Sequence, residues 1–226
     1  MIAKYVTNTH EITDTYNQIL VSVKNTKIKI EPSSDNHTKL VFFETKKQPH
    51  EFFIQNNTLT IKLAKRRWYN LLGIGIDRSA IKLWVPKPML EAISIRATAG
   101  RVDICSVVCS GTIGIQTNTG KLNLENVSCR KLDSRGNHGA VSLHNVVAEE
   151  SISVKQSTGK VLLTDCAAPE IFAKTKTANI SGRLPSDMVF AVCTNTGKTE
   201  VPQPPIGEVI KGRCEIKTNT GNIKFE

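Results

Sequence analysis

The chain has 226 residues, of which 39% are hydrophobic and 22% are charged, and this composition excludes a disordered chain and a small disulfide-stapled domain. Its 30 Lys and Arg residues outnumber 20 Asp and Glu residues, and the resulting formal net charge of +10 favours anionic partners.

Neither an export signal nor a membrane span is predicted. Residues 1–30 contain no apolar run long enough for a signal peptide, and no segment has the ~18 consecutive apolar residues of a membrane helix. We therefore expect a cytoplasmic protein without a transmembrane segment. The six cysteines show no CxxC spacing, so we also expect reduced thiols, no metal site and no cofactor.

Alternating apolar and polar residues predict β-strands in the first part of the chain. The predicted strands are Ile19 to Val23, Lys27 to Ile30, Lys39 to Glu44, Phe52 to Gln55, Leu59 to Leu63 and Ala80 to Val85. Asn56-Asn57 indicates a hairpin turn between two of them. Because the end of a stack of coils exposes strand edges that need covering, residues 1–90 are predicted to form an N-terminal β-strand cap.

A polar break between two of these strands combines cations with aromatic residues. Arg66, Arg67, Trp68 and Tyr69 form a candidate contact loop, since such a loop can contact a phosphate while an aromatic ring stacks on a base or a sugar. The alternative, which we favour, is an aromatic pair that packs over the end of the cap while the cations stay solvated.

A repeat fills residues 91–226. Its marker is T-x-T-G or a variant, and the last residues of the successive markers are Gly100, Gly120, Gly139, Gly159, Ala178, Gly197 and Gly221. The markers are 19 or 20 residues apart, except for a last interval of 24 residues. Positions −7, −5, +2 and +4 relative to each marker are mostly apolar, which predicts two half-buried strands joined by a tight turn. We expect positive φ at the glycines, and Ala178 strains this expectation.

Two further columns are predicted to fill the interior of each coil. They contain Val107, Val127, Val146 and Cys166 at position +7, and Cys109, Cys129, Ala148 and Ala168 at position +9. Stacked coils lie about 4.8 Å apart, so Cys109 and Cys129 would be neighbours. They are either a redox pair or, as we favour, two small core residues. Asn126, Asn145 and Asp165 at position +6 suggest a ladder of turns whose side chains bond to the backbone.

Taken together, the columns predict an all-β fold. It is a parallel β-solenoid of 19- to 20-residue coils over residues 91–226, continuous with the cap of residues 1–90.

The segment KLWVPKPMLEAISIRATAGRVDI, followed by IGIQTNTGKLNLENV and ISVKQSTGKVLLTDC, resembles the bacterial putative-adhesin family of β-strand-repeat proteins of unknown function. The resemblance covers residues 17–226 and is most specific at Val85, Pro86, Ile93, Ile95 and Gly100. It implies a right- or left-handed parallel β-solenoid with an adhesin role, often exported or tethered to the membrane, and it offers no catalytic residues. Cell-surface association is therefore the alternative to a cytoplasmic location, although neither an anchor nor a signal is predicted from the sequence.

Two columns that are predicted to face solvent are rich in basic residues. Together they form the candidate anion-binding stripe: Arg96, Arg135, Lys155, Lys174 and Lys217 at position −4, and Arg101, Lys121, Lys160 and Lys198 at position +1. Like charges one strand spacing apart repel each other, so the stripe either binds nucleic acid, teichoic acid or another acidic glycan, or keeps the protein soluble. Residues 91–226 carry 16 basic and 13 acidic side chains, and this near balance favours the solubilising interpretation.

The insertion in the last interval, Val201 to Gly212, is rich in proline. It is interpreted either as a partner-binding loop or as a closing cap.

No constellation of residues indicates catalysis. Asp103, Asp133 and Asp165 fall in three different columns, which leaves paired-carboxylate chemistry unsupported. The sequence therefore predicts a non-enzymatic binding or scaffold module whose partner is an anionic polymer or a protein, with self-association through the solenoid ends as a further possibility. The alternatives are a polysaccharide-acting enzyme on a solenoid scaffold and a polyanion-binding protein that uses the basic stripe.

Overall fold

The computed structural model describes residues 4–46, 48–64, 79–86, 90–185, 187–203 and 209–226, and the regular secondary structure of these ranges is β. The strands are β1 (Tyr5–Ile12), β2 (Gln18–Pro32), β3 (Thr38–Thr45), β4 (His50–Gln55), β5 (Thr58–Leu63), β6 (Ser79–Val85), β7 (Leu90–Ala99), β8 (Val102–Cys105), β9 (Val108–Thr119), β10 (Leu122–His138), β11 (Val141–Thr158), β12 (Val161–Thr164), β13 (Glu170–Thr177), β14 (Ile180–Arg183), β15 (Met188–Thr196), β16 (Thr199–Glu200), β17 (Gly212–Thr220) and β18 (Ile223–Phe225).

The coils have two long faces that meet at the glycine corner. Face A contains, in spatial order, β4, β5, the first half of β2, β7, the last parts of β9, β10 and β11, then β13, β17 and β15. Face B contains β1, β3, β6, the second half of β2, β8, the first parts of β10 and β11, then β12, β14, β18 and β16. Short parts of β9, β10 and β11 form a third side. The predicted β-solenoid is confirmed.

Strand pairing between coils is parallel and in register, so the predicted columns are real columns of the core. Ile113 pairs with Leu132 and Leu132 with Ile152, and all three are buried. The same holds on the third side for Cys109 and Cys129, which are paired and buried. Each coil therefore adds one layer to a single continuous apolar interior.

At the glycine corner, successive backbones lie too close for side chains. A Cβ atom on Gly139 would lie 1.9 Å from the carbonyl oxygen of Gly120, and one on Gly159 would lie 2.0 Å from that of Gly139. The φ angle is positive at the predicted marker glycines, for example +132° at Gly139 and +126° at Gly159, except at Gly120, where the prediction is wrong. Ala178 does not have a positive φ, which explains why alanine is tolerated there.

We expect Gly139→Ala to lower the free energy of unfolding by about 2–4 kcal/mol, because it adds both backbone strain and a clash with the next coil. Gly114→Ala is the matched control, since its Cβ would meet nothing within 4 Å and its φ is not positive; its effect should stay within about 0.5 kcal/mol. Urea unfolding measures both changes. Equal effects of the two substitutions would show that the corner does not impose this constraint.

The order of the coils departs from the order of the chain at both ends. At one end β17 lies between β13 and β15, because Cys214 pairs with both Ile171 and Phe190. At the other end β2 lies between the cap strands β5 and β6 and the first repeat strands β7 and β8. The extra residues of the 24-residue interval lie between β16, at the end of the stack, and β17, one layer further in. This order of the strands is a structural reason for the insertion, and the sequence did not reveal it.

Hydrogen exchange can check this order. Strand β17 is paired on both sides, whereas β15 is paired only through β17 among the described strands, so peptides covering residues 212–220 should exchange at least ~10-fold more slowly than those covering residues 188–196. If residues 212–220 exchanged faster than residues 188–196, the order of the strands described here would be wrong, and the coils would be stacked in the order of the chain.

The predicted strands in the first part of the chain are confirmed, with Ile19 to Val23 and Lys27 to Ile30 as parts of the single strand β2, and the structure adds β1. The hairpin at Asn56 and Asn57 has the expected positive φ angles of 50° and 57°, and it joins β4 to β5 in an antiparallel pair. Strand β1 pairs antiparallel with β3. Strand β1 was not predicted, because most of its residues are polar and only Ile12 is buried.

A buried polar network lies beneath the cap. Oε2 of Glu44 lies 2.8 Å from Nδ1 of His50, whose Nε2 lies 3.3 Å from Oγ1 of Thr26. The hydroxyl of Thr26 is in turn 2.9 Å from that of Ser79. All four side chains are buried. Thr26 occupies the corner position of the coil that contains β2, where the repeats have glycine. The network therefore gives the buried polar side chains at this corner their hydrogen-bond partners.

The predicted ladder of turns at position +6 is present, with different side-chain partners. Asn126, Asn145 and Asp165 have φ angles of 53°, 50° and 53°. Nδ2 of Asn145 donates to Oδ1 of Asn126 at 2.8 Å, and Arg183 donates two hydrogen bonds to Asp165. The side chains thus bond to each other and to Arg183, and the expected bonds to the backbone are not found in the described part of the chain. The hydrogen bonds from Arg183 are the main reason why the pKa of Asp165 is lowered.

Candidate functional site

The first basic column is one continuous row on the outside of face A. In spatial order the row consists of Arg96, Gln116, Arg135, Lys155, Lys174, Lys217 and Cys193. Every one of these side chains is exposed. Because β17 lies between β13 and β15, Lys217 directly follows Lys174 and Cys193 ends the row. We call this row of side chains the basic row, and we include in it the basic residues of neighbouring strands that continue it.

The second basic column lies on face B just past the corner. Its backbone hydrogen bonds give the order Arg101, Lys121, Ala140, Lys160, Asn179, Asn222 and Lys198. Two asparagines therefore separate Lys198 from Lys160. The structure brings the two columns to either side of the same corner, as expected, but only the column on face A forms an extended run of cations.

Some cations of the stripe are already neutralised. Nη2 of Arg135 lies 2.9 Å from Asp133, and Nε of Arg101 lies 2.6 Å from Asp103. Lys217 forms an ion pair with Glu215, and the hydrogen bond from Lys217 is the main cause of the lowered pKa of Glu215. These residues have less charge to offer a ligand.

Other basic residues on face A have no such partner. Within the described ranges, Lys24, Arg96, Lys174 and Lys176 form no ion pair. The ammonium group of Lys155 lies 5.3 Å from the centroid of the Phe172 ring, a contact that leaves its charge available.

The basic row continues into the cap, which the sequence analysis missed. Arg96 pairs with Ser22, and Ser22 pairs with Lys62. Lys24 lies two residues further along β2. Neither lysine belongs to a recognisable repeat, so only the observed strand register places them beside Arg96.

The surface of face A is hollowed at this end into a groove of about 790 Å³. Its floor contains the buried or half-buried residues Val23, Leu63, Ala97 and Thr117 between two walls. One wall is the basic row, and the other is formed at position −2. The walls and ends contain Ser22, Lys24, Gln48, Lys62, Ala64, Arg96, Thr98, Gln116, Asn118 and Asn137.

The −2 wall presents oriented amides. Nδ2 of Asn137 donates to Oδ1 of Asn118 at 2.8 Å. This bond fixes the orientation of both amide groups. The amide nitrogen of Asn118 and the carbonyl oxygen of Asn137 remain available to other partners. Asn118 is the variable residue of a TNTG marker, so a comparison of the −2 positions could have identified this wall from the sequence.

The described lining of the groove contains no carboxylate and no aromatic ring. Most glycoside hydrolases use a pair of carboxyl groups, and the described lining of the groove presents no such pair. Among the described residues, no group of three or more His, Cys, Asp or Glu side chains is placed to hold a metal ion. The groove is arranged for binding through cations, amides and hydroxyl groups.

The candidate contact loop, Arg66, Arg67, Trp68 and Tyr69, lies outside the described residues, and its role stays a prediction. The same is true of residues 204–208 in the proline-rich insertion.

The cysteines behave as core residues. Burial raises the pKa of Cys129 and Cys214 to about 12 and that of Cys166 to about 11, and it also raises the pKa of Cys109. Cys193 is exposed. Buried, protonated thiols are poor nucleophiles, which favours the core interpretation of Cys109 and Cys129 over a redox pair.

We expect iodoacetamide at pH 8 to alkylate Cys193 first in the native protein. The thiolate fraction of Cys129, Cys166 and Cys214 at this pH is on the order of 1 in 1,000 or less, so these residues should react only after unfolding. Mass spectrometry identifies the labelled sites, and Cys193→Ser is the control that removes the fast reaction. A disulfide between Cys109 and Cys129 in protein kept without reductant would contradict this reading.

Within the described ranges, no helix has the length and apolar character needed to cross a bilayer.

Comparisons with known proteins agree with this architecture. A family model described as Toastrack DUF4097 matches residues 16–226, and no curated protein matches the chain. A solved structure described as a putative adhesin from Bacteroides fragilis NCTC 9343 covers 99% of this chain and 97% of its own, with 17% identity and a TM-score of 0.63. Another, described as a putative adhesin from Parabacteroides distasonis ATCC 8503, covers 98% and 97%, with 12% identity and a TM-score of 0.53. At these identities the likeness shows the fold.

Proposed function

This chain belongs to the Toastrack DUF4097 family, whose model matches residues 16–226, and we propose that it is a non-enzymatic binding module whose face A binds an anionic polymer. The solved structures that it resembles are described as putative adhesins, which supports a binding role at a coarse level. The observation that carries the finer proposal is the in-register basic row.

The strand register holds the like charges of the basic row close to one another. Lys155 and Lys174 pair in neighbouring strands, which lie about 4.8 Å apart, and neither forms an ion pair within the described ranges. Like charges opposite each other in a sheet are destabilising. Because the corner fixes the register, these backbones cannot move apart, and a bound polyanion would remove the repulsion.

The charge of the outer surface of face A is unbalanced. Its basic side chains are Lys24, Lys62, Arg96, Lys131, Arg135, Lys155, Lys174, Lys176, Arg213 and Lys217, and its acidic ones are Glu51, Glu91, Asp133, Glu170 and Glu215. The near balance of residues 91–226 as a whole therefore hides a positive face. A one-signed surface attracts a polyanion and raises its local concentration.

We expect the protein to bind acidic polymers, and we expect the affinity to fall as salt rises, because binding releases condensed counterions. Replacing Arg135, Lys155 and Lys174 by Ser should weaken binding at least ~10-fold and reduce the slope of log K against log salt by about one for each lost contact. Fluorescence anisotropy with DNA, RNA, teichoic acid and acidic glycans over a salt series measures both quantities.

The matched control replaces Lys39, Lys82 and Lys224 by Ser, since these exposed lysines lie on face B. It removes the same charge and should keep most of the affinity. If no polymer binds at low salt, or if both triple variants lose the same affinity, face A is not the binding surface and its cations serve solubility.

A further inference from the structure

The last strand of face A, β15, has an unprotected edge. Among the described strands it pairs only with β17, and its register is uninterrupted from Met188 to Thr194. Its nine residues, MVFAVCTNT, include no charged residue and no proline. Natural sheets protect their edges with charged side chains, prolines, bulges or very short strands, because an unprotected edge pairs with another chain. Strand β15 has none of these features.

The other edges of the described sheet are protected. At the cap end, the edge of face A is the six-residue strand β4, which carries Glu51 in an ion pair with Lys62. The edge of face B is β1, which is mostly polar and carries Glu11. At the opposite end, the edge of face B is β16, which has only two residues. Among the described strands, β15 is therefore the long edge that is prepared for pairing.

The apolar interior is open at the same end. Phe190 and Val192 of β15 are only partly buried, whereas Cys214 and Ile216, which occupy the same columns one layer further in, are fully buried. On face B, Thr199 of the end coil is exposed in a column whose next member is buried. One more layer of the same shape would cover these positions.

The interior at the cap end is closed by its own side chains. His10 of β1 and Phe52 of β4 lie on the two opposite faces, and their ring centroids are 4.9 Å apart across the interior. Phe42 lies against both rings. The two ends of the solenoid therefore do not complement each other, and a head-to-tail stack is not favoured.

A second copy of the β15 end fits the opening. A single peptide strand could pair with β15, but it would leave the interior open on the side of face B. The end coil of another copy offers a strand edge and an apolar interior with the same cross-section. Residues 188–200 contain one basic and one acidic residue, Lys198 and Glu200, so this end does not repel its copy although the whole chain has a net charge of +10.

We propose that two copies of this chain form a symmetric dimer by pairing their β15 strands antiparallel around Val192, the middle residue of the strand. Residues directly opposite each other in an antiparallel pair point to the same side of the sheet. Val192 therefore faces Val192 of the second copy, and Phe190 faces Thr194, all on the inner side. On the outer side Ala191 faces Cys193. The same patch serves both copies, so the assembly closes at two.

This pairing joins the two basic surfaces. The two-fold axis is perpendicular to face A, so face A of each copy lies on the same side of the dimer. A polymer that spans both faces would bind with higher avidity than one that contacts a single chain. The dimer forms without a polymer, and the inference therefore goes beyond the proposed function and does not depend on it.

Sedimentation velocity on the full chain over a concentration series tests the dimer. The mass should rise from 24.9 kDa toward twice that value and no further. Hydrogen exchange of the wild-type protein locates the contact: residues 188–196 should exchange as an edge strand where the monomer predominates, and at least ~10-fold more slowly where the dimer predominates. The exchange of residues 212–220 should depend far less on concentration.

Two matched variants separate the edge from a general effect of charge. Val192→Lys places like charges opposite each other at the centre of the contact and should raise the dissociation constant of the dimer at least ~10-fold. Val147→Lys makes the same change at an exposed valine of β11, three layers from the end, and should change it less than ~2-fold. Circular dichroism checks that both variants are folded.

A cross-link tests the register. In Ala191→Cys, the new thiol would lie opposite Cys193 of the second copy, and mild oxidation with copper phenanthroline should give a covalent dimer. Adding Cys193→Ser to this variant should abolish the cross-link and leave the reversible dimer intact.

A single-chain mass at every concentration would overturn this inference, and so would assemblies that keep growing beyond two chains. Equal effects of Val192→Lys and Val147→Lys, or exchange of residues 188–196 that does not change with concentration, would show that β15 is not the contact. Each of these results leaves polymer binding by face A untouched, because that binding is measured separately.

Discussion

The close approach of successive backbones at the glycine corner is the constraint on which the other features depend. The carbonyl oxygen of Gly120 occupies the place of a Cβ on Gly139, and the same relation recurs between Gly139 and Gly159. Neighbouring coils are thereby held at one separation and in one register, since a slip of a single residue would drive a side chain into a carbonyl and turn the apolar columns outward. The ladders of Ile, Val and Leu inside, and the rows of Lys, Arg and Asn outside, are consequences of this alignment.

The same alignment gives each outer position a collective character. A residue type that recurs once per coil becomes a row, so a favourable bond such as that between Asn145 and Asn126 and an unfavourable contact such as that between Lys155 and Lys174 are repeated along the axis. Polar amides gain from stacking because each has both a donor and an acceptor. Cations cannot satisfy each other, and they remain available to a partner. The chemistry of the solenoid surface therefore follows from which residue types the repeat places at its outward positions.

Much of this could be predicted from the sequence, because one glycine per coil marks the period and alternation assigns each position to the inside or the outside. The position of β17 in the stack could not be predicted. Cys214 and Ile216 of β17 have the same apolar character as Phe190 and Val192 of β15, and the residues of a column do not show in which order their coils are stacked. Only the observed pairing, with Cys214 and Ile216 fully buried and Phe190 and Val192 partly exposed, shows which coil ends the stack. The positions of Lys24 and Lys62 could not be predicted for a related reason, because β2 and β5 carry no glycine marker that would align them with Arg96. The basic row of residues 96–217 was foreseen, whereas the groove depends on strands outside the repeat.

The two strands that are stacked out of chain order have a mechanical consequence. A terminal strand on the edge of a sheet can be peeled away one hydrogen bond at a time. Here β2 and β17, which belong to the first and last parts of the chain, each lie between two neighbours. Under a tensile force applied through the ends of the chain, β1 would peel first because it lies at the edge of face B, but β2 and β17 would each have to be sheared from both sides together, with many ladder bonds loaded at once. A solenoid whose strands are interleaved in this way resists unravelling beyond its outermost strand.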